Sequence, residues 1–247
     1  MFDKLISSLG LQTVKVDTIL HTPVLQAGQT LQGEIHFQGA SSNKNINGIY
    51  LNLMTTAEVE AGDHESSQAL CLARWHVSGA FELQAHQVQR FPFQLQLPYE
   101  TPITEVACRY NATRLWLHTH LDVDWGLDAN DRDYIKVTPT PAMNAFLQAM
   151  QHCGFQLHSV DVEKGQLRGH HFHSTLGCYQ ELEFKPTQFL SGINEVEVSF
   201  VAQAEQTHVL LEIDRKFRGD HYRSLTIPHQ HIHIPSLMED IQRLLQR

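Results

Sequence analysis

Leu115-Trp116-Leu117-His118-Thr119-His120-Leu121-Asp122-Val123-Asp124-Trp125 is the longest two-residue alternation in the chain. Successive side chains of a β-strand point to opposite faces. Leu115, Leu117, Thr119, Leu121, Val123 and Trp125 therefore share one face, and His118, His120, Asp122 and Asp124 share the other. One face belongs in a core and the other in water, which is the signature of a half-buried strand.

The same period extends upstream. Val14, Val16, Thr18 and Leu20 alternate, then Leu31, Gly33, Ile35 and Phe37, after a turn at Ala27-Gly28-Gln29 where glycine can take a positive φ. Ile49-Tyr50-Leu51-Asn52-Leu53-Met54 is apolar on both faces and is expected to be central. Ala69 to Val77 is strand-like but less regular. Phe91, Phe93, Leu95 and Leu97 alternate until Pro98, and Pro92 inside that run predicts an edge strand or a bulge. Short strands separated by turns, without intervening helices, indicate an antiparallel sandwich.

Downstream, Pro139-Thr140-Pro141 cannot sit inside a ladder or a helix interior, so a domain boundary is placed there. Met143, Phe146, Leu147 and Met150 then share one helical face, with Gly154 placed to end the helix. Period two returns with Leu182 and Phe184, with Val196, Val198, Phe200 and Ala202, and with Val209, Leu211 and Ile213. Pro235 followed by Leu237, Met238, Ile241, Leu244 and Leu245 predicts a C-terminal amphipathic helix. The expectation is an all-β protein: a sandwich over residues 1–138, and a second, smaller sandwich over 142–247 with a helix at its start and another at its end. At the N-terminus Phe2, Leu5, Ile6 and Leu9 recur at helical spacing. The neighbouring Asp3 and Lys4 give no basic face for anionic lipid, so packing on its own domain is expected there over peripheral membrane contact.

Composition narrows the function classes. In 247 residues, 18 Lys and Arg face 27 Asp and Glu, and the net charge of -9 argues against a nucleic-acid partner. Cys71, Cys108, Cys153 and Cys178 are widely spaced, which suits reduced thiols in a cytoplasmic protein rather than a disulfide framework. No nucleophile elbow, phosphate loop or dinucleotide fingerprint occurs, so neither an enzyme nor a cofactor is expected.

The 17 histidines require an explanation. His118 and His120, with Asp122 and Asp124 on the same face, have the donor types of a transition-metal site, but all come from one strand. His170, His171 and His173, and then His229, His231 and His233 on one expected strand face, are two further candidate ligand sets, with Cys178 as an additional donor. A histidine-rich metal-binding protein or metal-dependent enzyme is thus the alternative reading. Clustered imidazoles could also make assembly pH-sensitive.

Several segments together resemble the SpoOM (sporulation-control) family, whose members have an arrestin-like fold. They are Lys15 to Thr18, Gly28 to Ile35, Tyr50 to Thr55, Phe91-Pro92-Phe93, Leu121 to Val137, Cys153-Gly154-Phe155, Val160 to Gly165, Glu181 to Phe184 and Leu211 to Arg215. The resemblance runs from about Phe2 to about Arg218 and leaves the histidine clusters unexplained. It implies two arrestin-like sandwiches and a non-catalytic regulatory or adaptor role with protein partners; homo-oligomerisation is compatible with it. It also implies that Asp122, Asp124, Asp128, Asp131, Arg132 and Asp133 supply a polar core between the two domains.

Overall fold

The computed structural model describes residues 13–61, 64–188, 192–216 and 219–246. The expected turn over Phe2, Leu5, Ile6 and Leu9 lies outside them. The first half holds β1 (Lys15–Leu20), β2 (Val24–Gln26), β3 (Thr30–Gln38), β4 (Lys44–Ala61), β5 (His64–Ser78), β6 (Phe81–Leu83), β7 (Val88–Gln96), β8 (Tyr110–Asn111), β9 (Leu115–Val123), β10 (Ala129–Tyr134) and β11 (Lys136–Thr138). Helix α1 (Pro141–His152) opens the second half, followed by β12 (Phe155–Lys164), β13 (Cys178–Pro186), β14 (Ile193–Ala202), β15 (Gln206–Arg215), β16 (Gly219–Pro228) and helix α2 (Ile234–Gln246).

The alternating stretch is β9, paired antiparallel with β4 and β10, with Leu117 opposite Leu53 and Leu121 opposite Ile49. All four of those side chains are buried. The strand stops at Val123, two residues short of the expected end. Trp125 enters the turn at φ 52 and is 96% exposed, so its place on the apolar face is corrected: once the chain turns, the two-residue phase no longer applies.

Strands β1, β3 and β7 form a three-stranded sheet. Its Leu31, Ile35, Phe37 and Phe93 share a buried cluster with Leu51, Leu53, Leu117 and Leu121 of the larger sheet. Those two layers are the first sandwich. As expected, Pro92 lies on an edge strand, opposite Glu34, and β4 is central, with β9 on one side and β5 on the other. Gly28 takes φ 79 in the turn before β3.

Strands β12 to β16 form an antiparallel meander. β12 also runs parallel to β4 at Glu163 opposite Glu58, and to β8 at Ser159 and Val160, so one eleven-stranded sheet passes through both halves. On one face Val160, Val162, Leu182, Phe184, Val196, Val198, Leu211 and Ile213 pack in the same cluster as Phe146 and Met150 of α1 and Ile241 and Leu245 of α2. The α1 amphipathic face forms as the spacing predicts, and Thr140 caps it by accepting the Met143 N–H at 3.3 Å. The proline break thus marks the change from strand to helix, within a hydrophobic core that continues across it.

Candidate functional site

The segment from Asp122 to Asp133 folds as the β9–β10 hairpin. Asp128 closes its turn by accepting the Val123 N–H at 3.0 Å, and Asp122 accepts from the Asn47 amide at 3.1 Å. Asp131 reaches across to the small sheet, where its carboxylate accepts the Thr18 N–H at 2.6 Å, and the Thr18 and Thr119 hydroxyls meet at 2.6 Å behind it. Burial, reinforced by the neighbouring Asp131 and Asp17, pushes the Asp133 carboxyl up to about 7. A polar contact does exist here, but it clamps the two layers of the first sandwich. Because β10 is the edge strand at the first-half end of the large sheet, separated from β12 by β9 and β4, the segment does not lie between the halves. Arg132 lies over the Trp116 ring at 4.8 Å, and Asp124 extends into the turn.

The side-chain hydrogen bonds that join the halves centre on Gln180 instead. Its amide donates to the Ile103 carbonyl and the Thr113 hydroxyl at 2.8 Å each, and accepts the Ile103 N–H at 2.9 Å. Nearby, Glu100 accepts from the Thr175 N–H and hydroxyl at 2.8 and 2.6 Å. Gln180 occupies the apolar parity of β13, between Cys178 and Leu182, and a polar residue on a core face is the signal that could have found it.

The histidines disperse. His118 and His120 stand side by side with ring centroids 6.4 Å apart; His120 borders Tyr50, bonds Asn130 at 2.9 Å and lies 3.8 Å from the Asp128 carboxylate, but the two imidazoles and that carboxylate do not converge on one point. Burial, and then the charges of His120 and Arg132, hold His118 below the usual imidazole range. His170 and His171 pack edge to face at 4.1 Å, and His173 lies in a bridge opposite Arg168. His229, His231 and His233 are not on a strand: they follow β16 in the connection to α2, because Pro228 ends the ladder. His229 bonds the Thr207 hydroxyl at 2.9 Å, and His233 bonds the Ser236 hydroxyl at 2.9 Å in the first turn of α2. Among the described residues no three of these histidines, with or without Cys178, bring donors within reach of one ion.

The densest group of titratable side chains was not anticipated. It lies on the outward face of β12 to β15, where each strand carries an acid–apolar–acid triplet: Asp161-Val162-Glu163, Glu181-Leu182-Glu183, Glu195-Val196-Glu197 and Glu212-Ile213-Asp214. Register sets Glu183, Glu197 and Glu212 directly opposite one another in a row, with Ser159 at one end and Tyr222 at the other. Like charges directly opposite across a sheet repel. Part of the row is offset by partners: Ser159 bonds Glu183, Lys185 pairs with Glu183 at 2.8 Å, and the Tyr222 hydroxyl donates to Glu212 at 2.7 Å. The remainder is offset by protonation. Burial and then Glu197 push Glu181 up to about 8, and burial and then Glu212 push Glu197 up to about 7. Asp161, Glu163 and Glu181 hold oxygen donors within 4.8 Å of one another, a set whose chemistry suits a hard divalent cation. The repeated triplets are visible in sequence, but only strand register stacks them.

The SpoOM protein family profile matches residues 2–217. The chain belongs to the SpoOM family. It is 31% identical over 220 residues to the sporulation-control protein spo0M of Bacillus subtilis (strain 168), covering 88% of this chain and 82% of that protein. The crystal structure of Spo0M from Bacillus subtilis superimposes with a TM-score of 0.83 at 26% identity, covering 94% of this chain and 98% of that one. The arrestin-like, all-β architecture expected from the sequence is therefore the fold of this SpoOM protein. Among its described residues no helix is long and apolar enough to cross a membrane.

Opposite ends of the sheet's outward face differ in chemistry in this SpoOM chain. On β4, β5 and β9 it is aromatic and cationic: Tyr50 stacks on His76 at 4.8 Å, carries the Arg74 guanidinium at 4.4 Å and borders His120. Past the Glu58–Glu163 pair it becomes the acidic face of β12 to β15.

Proposed function

We propose that this protein is a non-catalytic regulatory adaptor that binds a protein partner by strand addition along the outer edge of β5. Membership of the SpoOM family and a relative named for sporulation control support a regulatory role. The observation that carries the binding mode is β5 itself, which spans 15 residues and pairs with β4 and no other strand among the described residues. Its side chains from Ser66 to Ser78 are mostly exposed or half-buried and no proline interrupts it, although bulges at Leu72 and Val77 divide it into shorter regular stretches. A long open edge is a template for another strand, and proteins that do not use such an edge usually shorten or block it. The net charge of -9 over the whole chain disfavours a nucleic-acid partner.

A photo-reactive benzophenone amino acid in place of the exposed Cys71 on β5 tests the reading in native cells. The same group at Tyr222, on the shorter edge strand β16, is the control. A reproducible protein adduct from position 71 and none from 222 is expected. Equal or absent adducts at both positions would remove β5 as the docking edge.

A further inference from the structure

The turn between β9 and β10 presents two large exposed apolar side chains, Trp125 at 96% and Leu127 at 77% exposure. Trp125 also holds φ 52, a left-handed conformation that costs a non-glycine residue roughly 1–2 kcal/mol. A large apolar side chain that gains nothing from burial and sits in unfavourable backbone geometry points to a function outside the fold of one copy. The tip is pre-organised: Asp128 binds the Val123 N–H, the Gly126 N–H donates to the Val123 carbonyl at 3.3 Å, and the Asp124 N–H donates to the Asn45 carbonyl at 2.9 Å. Beside Trp125 the Asp124 carboxylate has no ion pair or hydrogen bond among the described residues.

Elsewhere on the molecule lies a groove of about 1070 Å³ between α1 and the adjoining ends of β12 and β13. Leu147 and Leu157 line it above the largely buried Phe155 and Phe184, and polar side chains, Glu105 among them, make up the rest. Arg109 also lines it, exposed, stacked over the Tyr110 ring at 5.0 Å and without an ion pair among the described residues. The groove is roomy enough for an aromatic side chain, and its unpaired cation complements the unpaired acid of the tip.

We propose that the Trp125–Leu127 tip of one copy seats in the α1/β12–β13 groove of a second copy, with Asp124 against Arg109. Seated on one side of each copy only, the contact is head-to-tail and propagates into short chains. A tryptophan buries roughly 150–250 Å², and a single hairpin tip falls short of the ~1,200 Å² of a stable interface, so the association is weak and appears at high local concentration.

Sedimentation of the purified full chain, from low micromolar to several hundred micromolar, tests this. The average mass should rise continuously past that of a dimer. Trp125→Gly removes the anchor while relieving the left-handed strain, so folding is preserved; Arg109→Glu disables the groove. Each should weaken self-association at least about tenfold, and an equal mixture of the two variants should form a one-to-one pair through the surviving tip and groove. A monomer at every concentration, a dimer untouched by either change, or failure of the mixture to pair overturns the proposal. So does Trp125-dependent recruitment to phosphatidylcholine–phosphatidylglycerol vesicles by a chain that stays monomeric, which would make the tip a lipid anchor. None of these outcomes bears on the β5 edge, whose test uses neither tip nor groove.

Discussion

Replacing Glu197 with glutamine should stabilise the protein in alkaline solution and leave it unchanged in acid. Glu197 sits in the middle of the carboxylate row, between Glu183 and Glu212, and burial followed by the neighbouring Glu212 raises it from the ordinary 4.5 to about 7. The sign follows from proton linkage. Below about 4.5 the group is protonated in both folded and unfolded chains and costs nothing. Between that value and about 7 the unfolded chain releases the proton while the folded chain keeps it, so stability falls as pH rises; above about 7 the penalty is complete. At ~1.36 kcal/mol per pH unit the interval sets a ceiling of about 3 kcal/mol, and solvent screening at a half-buried site reduces this to roughly 1–2 kcal/mol. Glutamine keeps the shape and removes the charge. Thermal and urea unfolding of wild type and Glu197→Gln at pH 4 and pH 8.5, with a chelator present so that no cation neutralises the row, reads the difference directly. A gain of about 3–6 °C in Tm at pH 8.5 and none at pH 4 is expected. An equal shift at both values, or a loss at pH 8.5, would refute the reasoning, because the ionised carboxylate would then be satisfied in the fold.

Gln180→Ala removes three hydrogen bonds between the halves and leaves the Ile103 backbone groups without that partner, so urea unfolding should show a loss of about 2–4 kcal/mol; a change within experimental error would mean that the shared core and the strand pairing of β12 join the halves without help from Gln180. Asp133→Asn should stabilise the first sandwich above about pH 7 and have little effect below pH 4, since burial and the Asp131 and Asp17 carboxylates disfavour its charge; melting curves at the two extremes decide. Gly28→Ala forces a side chain into φ 79 beside the Tyr99 ring and should cost at least about 1 kcal/mol in a denaturant titration.

The sequence by itself determined the strands and their inward faces. In β9, β4 and β14 a two-residue period picks out the core-facing residues without knowledge of the neighbours, although Trp116 on the polar parity of β9 and Ser199 and Val201 on the outward parity of β14 are buried too; α1 and α2 follow from helical spacing with Pro141 and Pro235 in their first turns. Periodicity is a property of one segment. Which strands become neighbours, and in what register, is a property of the whole chain, and it settled what the sequence had left open or misplaced. The Asp122 to Asp133 hairpin was legible as a polar contact, but only the strand order assigns it to the inside of the first sandwich. The His229 to His233 run kept its spacing but lost its strand at Pro228, and the His229 and His233 imidazoles bond nearby hydroxyls instead of converging on an ion. Conversely, four acid–apolar–acid triplets that look like ordinary solvent-facing strand surface become a carboxylate row because antiparallel pairing stacks residues far apart in sequence within one sheet spacing of each other.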